Sequence, residues 1–182
     1  MAEKYDSVVI GAGPGGYVTA LRLAGKKQKV AVVEANHLGG TCLNRGCIPT
    51  KTLLHSSEIV ASVKHGKEHG ITAENLKVDL AAMIQRKNQV VAKLRGGVAG
   101  LLKGRKVDVY AGKGKLVGKN KVEVKLSDGK TEVLETTNII IATGSVATMP
   151  GFFPQDRGKV MTSDEILDLE KLPESLLIVG GG

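Results

Sequence analysis

The sequence predicts an α/β fold in which a parallel sheet is combined with a helical pair and an antiparallel β-ribbon. Three observations carry this prediction. Short apolar runs flank a helical pattern over residues 1–40, a long three-four apolar spacing follows, and the pattern then changes to period two. Hydrophobic residues make up 42% and charged residues 24% of the 182-residue chain, which is ordinary for a globular protein with one core.

The N-terminal part indicates a strand, a turn, a helix and a second strand. Residues 7–10 are a short apolar run that ends in the glycine-rich stretch 11–16, and apolar residues then recur with helical spacing. Residues 29–34 form the second apolar run. Its continuous apolar character is expected of a strand in a parallel sheet that is covered on both faces.

Two helices are predicted in the middle of the chain, from Leu53 to about His65 and from Leu80 to about Leu102. The second helix is interrupted at Lys87, and Gly96-Gly97 weaken it by about 1 kcal/mol per glycine. We expect it to pack on its predecessor. The residues that keep its three-four spacing are Leu80, Ile84, Val91, Leu94, Val98 and Leu101.

Residues 108–143 change to the period of strands. Residues 122–126 alternate between apolar and charged side chains, and the stretch 127–130, Ser-Asp-Gly-Lys, is typical of a turn. An antiparallel ribbon is therefore expected. Thr143 and Gly144 follow a further apolar run, and the end of a buried strand is where α/β sheets bind ligands.

A glycine pattern follows the first strand and opens the first helix: Gly11-x-Gly13-x-x-Gly16, with Gly15 inside it. In a Rossmann-like dinucleotide-binding turn, the three glycines permit the tight turn, the approach of the pyrophosphate and the packing of helix on strand. The helix N-terminus adds free N–H groups for the phosphates. Glu34, at the end of the second strand, is placed to accept hydrogen bonds from ribose hydroxyls. The motif predicts a dinucleotide site without choosing between NAD and FAD.

Two cysteines, Cys42 and Cys47, are five positions apart. In a regular helix they would lie on different faces, beyond the roughly 7 Å Cα separation that a disulfide tolerates. Gly46 and Pro49 can distort the start of the helix and bring the sulfurs together. Redox chemistry is the favoured interpretation, because a helix N-terminus promotes reactive thiolates. A metal site lacks further ligands at suitable spacing, and two buried free thiols are the remaining alternative.

The net charge of +8 comes with lysines scattered over residues 64–130 rather than packed into one basic run. Such a distribution is typical of a solvated surface, so nucleic-acid binding is not expected. No apolar stretch approaches the roughly 18 residues of a membrane span. Met1 leads almost directly into the first strand, which leaves no room for a targeting signal. We expect a cytoplasmic protein.

A resemblance to a known family lies in Gly39-Gly40-Thr41-Cys42-Leu43-Asn44-Arg45-Gly46-Cys47-Ile48-Pro49-Thr50-Lys51. This stretch resembles the redox-active segment of the flavin disulfide reductases, the pyridine-nucleotide-disulfide oxidoreductases. The leucine and isoleucine residues of this stretch are similar to those of the dihydrolipoamide dehydrogenase branch rather than to those of the glutathione or mercuric reductases. The stretches 11–17, 142–145 and 180–182 agree, so the resemblance covers essentially the whole chain. Arg45, where the family often has a small apolar residue, and Thr50, where serine is common, are mild departures.

The resemblance implies a role for each of the redox-segment residues. Cys42 would be the interchange thiol that forms a mixed disulfide with a dithiol substrate, and Cys47 would be the thiolate against the flavin. Lys51 would stabilise negative charge on the reduced ring. Contacts with FAD are also implied for Gly40, Thr41, Gly114, Ala142, Thr143, Gly144 and Ser145.

The resemblance also implies a reaction and partners for the complete enzyme. Protein-bound dihydrolipoamide would be oxidised, with electrons passing to the Cys42–Cys47 disulfide, to FAD and then to NAD+. The partners would be lipoyl domains of 2-oxo acid dehydrogenase or glycine cleavage complexes, and the enzyme would be a homodimer.

By this resemblance the chain divides into an FAD-binding domain with the redox disulfide (1–145), a connecting segment (146–174) and the first strand of a truncated NAD-binding domain (175–182). The last segment copies the pattern of residues 7–11, an apolar strand that runs into glycines. We expect the chain to be a fragment, because a lone apolar strand has no sheet partner.

The remaining parts of such an enzyme would lie beyond Gly182: the NAD domain, a second flavin-domain segment and a His–Glu catalytic base. None of the four histidines is assigned to that base, and the chain alone is predicted to be inactive. A stand-alone flavin- or thiol-binding electron carrier is the alternative. The unassigned histidines are His37, His55, His65 and His69.

Overall fold

The computed structural model describes residues 3–154, 156 and 159–180, and it confirms the predicted α/β fold. The strands are β1 (Glu3–Ile10), β2 (Val30–Glu34), β3 (Asp108–Gly118), β4 (Lys121–Leu126) and β5 (Thr131–Ile141). The helices are α1 (Pro14–Gly25), α2 (Gly40–Arg45), α3 (Cys47–His65) and α4 (Leu80–Gly104), with short 3-10 helices at Gly66–His69 and Glu165–Asp168. None of the helices in these ranges combines the length and hydrophobicity that crossing a bilayer requires.

The five strands form one closed ring. β1 pairs in parallel with β2, where Val8 lies opposite Ala31, and with β5, where Val8 lies opposite Ile139. β2 also pairs in parallel with β3. β4 is antiparallel to both β3 and β5 and thereby closes the ring. The predicted parallel sheet and the predicted antiparallel ribbon are therefore two sides of a single closed sheet.

Strand β5 is one continuous strand, whereas the sequence pattern indicated a ribbon strand followed by a separate buried strand. Its first part pairs with β4 through residues 131–135, and its part from Leu134 onward pairs with β1. Residues 131–141 contain neither glycine nor proline, so nothing in the sequence interrupts the extended backbone. The continuity of β5 carries the chain from the ribbon directly to the centre of the parallel sheet.

Successive side chains of β1 and β2 point to opposite faces of the sheet and contribute to two hydrophobic cores. One core contains Val9 and Val32 and packs against α1, α2 and α4. The other contains Val8 and Val33 and fills the interior of the ring. All four side chains are almost fully buried. Burial on both faces explains why the strands are continuous apolar runs.

Lys87 interrupts the apolar spacing of α4 because it is a buried cation with its own partners. Its side chain is 4% exposed, and its Nζ donates to the backbone oxygen of Leu167 at 2.7 Å and pairs with the carboxylate of Asp168. A buried ammonium is stable only where such partners replace water. The ion pair attaches the connecting segment to α4, which also packs against α3 as expected.

The strand predicted at residues 175–182 is not formed over the described part of that segment, residues 175–180. Residues 175–180 have no regular secondary structure, and Leu177 and Ile178 are 86% and 77% exposed. A strand needs a neighbour that satisfies its N–H and C=O groups, and none of the described strands pairs with this segment. Gly181 and Gly182 lie outside the described residues. The division into residues 1–145, 146–174 and 175–182 stays a prediction.

Candidate functional site

A cleft of about 760 Å³ lies at the ends of β1, β2 and β5. The carboxyl ends of neighbouring parallel strands are where α/β proteins bind their ligands, and the volume suits a small molecule or cofactor. The structure thus brings the glycine turn, the strand-end acid and the two cysteines together. The predicted site residues that line the cleft are Gly11, Gly13, Gly15, Glu34, Gly40, Thr41, Cys42, Cys47, Ala142, Thr143, Gly144 and Ser145.

Three predicted site residues do not line the cleft. Gly16 is buried beneath the turn, where an added Cβ would lie 1.8 Å from the backbone oxygen of Gly11. Gly114 lies in β3, and a Cβ there would lie 3.1 Å from the side chain of Ile10, inside the ring. Lys51 is exposed on α3. Gly16 therefore has a packing role, whereas flavin contacts of Gly114 and Lys51 stay predictions.

The glycine turn is hydrogen-bonded to the sheet and leads into α1, whose first residues line the cleft. Gly11 has a φ of 99°, a left-handed conformation that favours glycine, and its N–H donates to the oxygen of Val33 at 2.8 Å. Helix α1 then begins at Pro14, and no side chain caps its first turn. Pro14 has no N–H, and the N–H groups of Gly16 and Tyr17 donate to the oxygen of Gly13 at 2.9 Å. The N–H of Gly15, which lines the cleft, and the positive end of the helix dipole therefore remain for an anion.

Glu34 is held by two backbone N–H groups. Its Oε2 accepts from the N–H of Ala12 at 2.7 Å, and its Oε1 accepts from the N–H of Asn36 at 2.8 Å. A carboxylate has about four lone-pair sites, so this one can accept further hydrogen bonds from hydroxyl groups. The position suits the predicted role in binding a ribose.

The redox segment lies against the glycine turn because two backbones approach each other closely. Gly40 has a φ of 57°, and a Cβ added to it would lie 2.6 Å from the Cα of Gly13. The N–H of Gly39 donates to the oxygen of Ala12 at 2.8 Å. A side chain at Gly40 would push α2 away from the turn. This contact is what brings the cysteines to the cleft.

A break between α2 and α3 brings Cys42 and Cys47 together. The break lies at Gly46, where φ is −139° and ψ is −111°. Both cysteines are free thiols in this structure, and Cys47 is close enough to Cys42 to raise the pKa of its thiol. The predicted distortion of the helix start is therefore confirmed as a separation into two helices.

The environment of the two cysteines differs. The pKa of Cys42 is raised above its ordinary value, chiefly because its thiol hydrogen-bonds to Cys47 and also because burial and the neighbouring sulfur disfavour the thiolate. The backbone N–H of Cys47 and the ammonium of Lys51 act in the opposite direction. Cys47 is the first residue of the 19-residue helix α3, whose N-terminus favours negative charge.

The sequence analysis assigned no role to four polar residues that line the cleft: Asn36, His37, Asn44 and Arg45. Their positions could have been found from local signals. Asn36 and His37 follow the end of a predicted parallel strand, where ligand sites are built. Asn44 lies in a short stretch between the two cysteines. Arg45 pairs with Asp164 of the connecting segment at 3.0 Å, and no sequence signal indicated that partner.

We predict that Gly16→Ala destabilises the chain by about 2 kcal/mol or more, because its Cβ would collide with the backbone of Gly11 and overpacking costs about 1–3 kcal/mol. The free energy of unfolding in urea measures the effect. Gly15→Ala is the matched control in the same turn, since its Cβ would meet no atom within 4 Å. Equal stability of the two variants would contradict the packing role of Gly16.

We predict opposite effects of two substitutions on the titration of Cys42 in the reduced chain. Cys47→Ala removes the largest cause of the raised pKa, so the pH midpoint for alkylation of Cys42 falls. Lys51→Met removes a charge that lowers the pKa, so the midpoint rises. Alkylation rates are read by mass spectrometry, because trypsin cleavage after Arg45 separates the two cysteine peptides. An unchanged midpoint in Cys47→Ala would refute the assigned cause.

Comparisons with known proteins agree with this site. A family model described as pyridine nucleotide-disulphide oxidoreductase matches residues 5–182. Dihydrolipoyl dehydrogenase from Chlamydia muridarum is 44% identical over 184 residues, covering 100% of this chain and 39% of that protein. Dihydrolipoyl dehydrogenase from Bacillus subtilis is 47% identical over 178 residues, covering 97% of this chain and 37% of that protein.

The chain is also similar to a solved structure, the Cu(II) complex of the HOCl-induced flavoprotein disulfide reductase RclA from Escherichia coli. The TM-score is 0.77 at 30% sequence identity, covering 94% of this chain and 36% of that one. The chain thus spans about two fifths of the length of these three relatives. Proteins of this family use FAD, and the complete dihydrolipoyl dehydrogenases also use NAD. The chain belongs to the pyridine nucleotide-disulphide oxidoreductase family.

Proposed function

We propose that this chain is the FAD-binding and redox-disulfide part of a dihydrolipoyl dehydrogenase, which oxidises protein-bound dihydrolipoamide with NAD+ as the electron acceptor. One observation carries the proposal: Cys42 and Cys47 line the same cleft as the glycine turn. Relatives that are 44% and 47% identical and are named dihydrolipoyl dehydrogenases support the substrate class.

The residues of the cleft fit FAD. A Cβ on Gly15 or Gly144 would meet no atom within 4 Å, so the space before both backbones is open to a ligand. The N-terminus of α1 would hold the pyrophosphate and Glu34 would hold a ribose. The backbone of Ala142, Thr143, Gly144 and Ser145 would lie against the cofactor. When bound, FAD would supply the electron transfer between the cysteine pair and NAD+.

The cysteine pair itself would carry out thiol–disulfide exchange. One thiolate of the substrate attacks the sulfur of Cys42 in the oxidised pair, the Cys42–Cys47 bond breaks, and Cys47 leaves as a thiolate. The second substrate thiol then attacks the substrate sulfur of the mixed disulfide and releases Cys42, which takes up a proton. The substrate loses two electrons and becomes a disulfide, and the pair gains them.

The proposal extends to the complete protein. It would contain an NAD-binding domain that begins with residues 175–182 and follows the connecting segment 146–174, and it would act as a homodimer. Its partners would be lipoyl domains of 2-oxo acid dehydrogenase or glycine cleavage complexes. We propose a cytoplasmic location, because two cysteines are too few for the disulfide scaffold of a small secreted protein.

A second function within the same family is favoured by the similarity to the flavoprotein disulfide reductase from Escherichia coli. In that case the cysteine pair would reduce another acceptor, as in mercuric or glutathione reductases. A stand-alone electron carrier, with the cofactor and the thiols but no nicotinamide site, is the third alternative.

The test is a hybrid protein in which this chain is continued by the remaining part of the Bacillus subtilis relative. We expect the hybrid to reduce NAD+ with dihydrolipoamide. The Cys42→Ser and Cys47→Ser variants of the hybrid are expected to lose at least 99% of that rate while retaining FAD. The isolated chain with FAD is expected to show no NAD+ reduction. Steady turnover by the isolated chain would contradict the need for the missing part. A hybrid that holds FAD and acts only with oxidised glutathione or Hg(II) would favour the second function.

A further inference from the structure

Helix α2 needs support from outside because it is only six residues long. A helix of this length has few internal hydrogen bonds, so its position depends on contacts with the rest of the protein. Cys42 is its third residue, and Leu43 is its buried residue. The position of the Cys42 sulfur relative to Cys47 therefore depends on how α2 is anchored.

Asn44 makes three hydrogen bonds that anchor α2. Its Nδ2 donates to the backbone oxygen of Leu38, before the helix, at 3.0 Å and to that of Gly40, the first residue of the helix, at 2.8 Å. Its Oδ1 accepts from Nε of Arg95 at 2.9 Å. One amide thus connects the loop before α2, the helix itself and helix α4.

Arg95 selects the orientation of this amide. If the amide of Asn44 were rotated by 180°, its NH₂ group would face the N–H of Arg95, and its oxygen would face two carbonyl oxygens. The hydrogen bond from the guanidinium is charge-assisted and stronger than a neutral one. Helix α4 is a firm support, because Val91 and Val98 on either side of Arg95 are buried in the core.

We propose that Arg95 is a positioning residue for the redox cysteines: acting through Asn44, it fixes α2 against α4 and thereby sets the reduction potential of the Cys42–Cys47 disulfide. This inference rests on the proposed redox function and adds to it a determinant on α4, outside the cleft. Arg95 would not touch the reacting sulfur atoms.

The physical link is the geometry that a disulfide requires. The bond forms only when the two Cβ atoms lie about 3.5–4.5 Å apart. If α2 is loosened, Cys42 spends less time within that distance of Cys47, and the intramolecular disulfide becomes less favourable relative to the dithiol. The potential then rises, so the pair is reduced more easily.

The experiment equilibrates the 182-residue chain with mixtures of reduced and oxidised glutathione, traps the thiols and measures the oxidised fraction of the cysteine pair. When the Cys42–Cys47 bond forms, the two thiols give two electrons and two protons to oxidised glutathione, whose disulfide breaks into two thiols. The readout needs no flavin. Arg95→Met retains an aliphatic side chain of similar length and removes the N–H donor. We expect the equilibrium constant for disulfide formation to fall about tenfold, which corresponds to a change of about 30 mV in the reduction potential.

Two matched variants distinguish the loss of the Arg95–Asn44 hydrogen bond from other effects of changing an arginine on α4. Arg95→Gln retains an N–H donor and is expected to remain within about threefold of the unaltered chain. Arg86→Met changes an exposed arginine on the same helix and is expected to change nothing. Circular dichroism checks that every variant is folded. In an Asn44→Ala background, Arg95→Met is expected to cause no further shift, since Arg95 acts through Asn44.

The outcomes distinguish this inference from the proposed function. An unchanged constant in Arg95→Met, an equal loss in Arg95→Gln, or a full additional shift in the Asn44→Ala background would each overturn the role of Arg95. An unaltered chain that forms no Cys42–Cys47 disulfide at any glutathione ratio would refute the proposed redox function itself.

Discussion

The arrangement of the site depends on the two backbone polar groups of a single residue, Ala12. Its N–H donates to Glu34 at the end of β2, and its oxygen accepts from Gly39 at the start of the redox segment. The close approach of Gly40 to Gly13 completes this junction. Three stretches that are distant in the sequence therefore meet within one turn. The turn that would bind the pyrophosphate and the helix that carries Cys42 cannot move independently.

The closed ring of strands positions this junction. Because β5 runs parallel to β1, Ala142 arrives beside the glycine turn, and its N–H donates to the oxygen of Ile10 at 2.8 Å. A Cβ on Gly11 would lie 2.2 Å from the oxygen of Ala142, so a larger residue there would separate the two strand ends. The ribbon formed by β3, β4 and β5 is thus part of the scaffold that delivers residues 142–145 to the cleft.

The parts of the site that the sequence predicted are those with a local cause. The glycine turn, the strand-end carboxylate of Glu34 and the break at Gly46 each depend on a few neighbouring residues. The hydrogen bond from Arg95 to Asn44 and the ion pair of Lys87 could not be predicted, because each joins residues more than fifty positions apart. For the same reason, the pattern that marks Lys87 as an interruption does not reveal its partner.

Sequence patterns alone do not settle the role of two further features, residues 176–179 and Gly114. Residues 176–179 have the composition of a buried strand, but a strand requires a neighbour, and within the described residues this segment has none. The glycine at position 114 was assigned to the cofactor by resemblance, whereas its missing Cβ leaves room for Ile10 and Val33 inside the ring. A glycine in a strand can reflect packing of the sheet as well as approach of a ligand.

We infer that the glycine turn and the cysteine pair belong to one cofactor site. The most direct test is the visible absorption spectrum of the chain after it has been reconstituted with FAD, desalted and treated with a dithiol. We expect that flavin stays with the protein and that reduction of the disulfide adds a long-wavelength band, which Cys47→Ser lacks. A protein that retains FAD but has the same spectrum with and without Cys47 would contradict it.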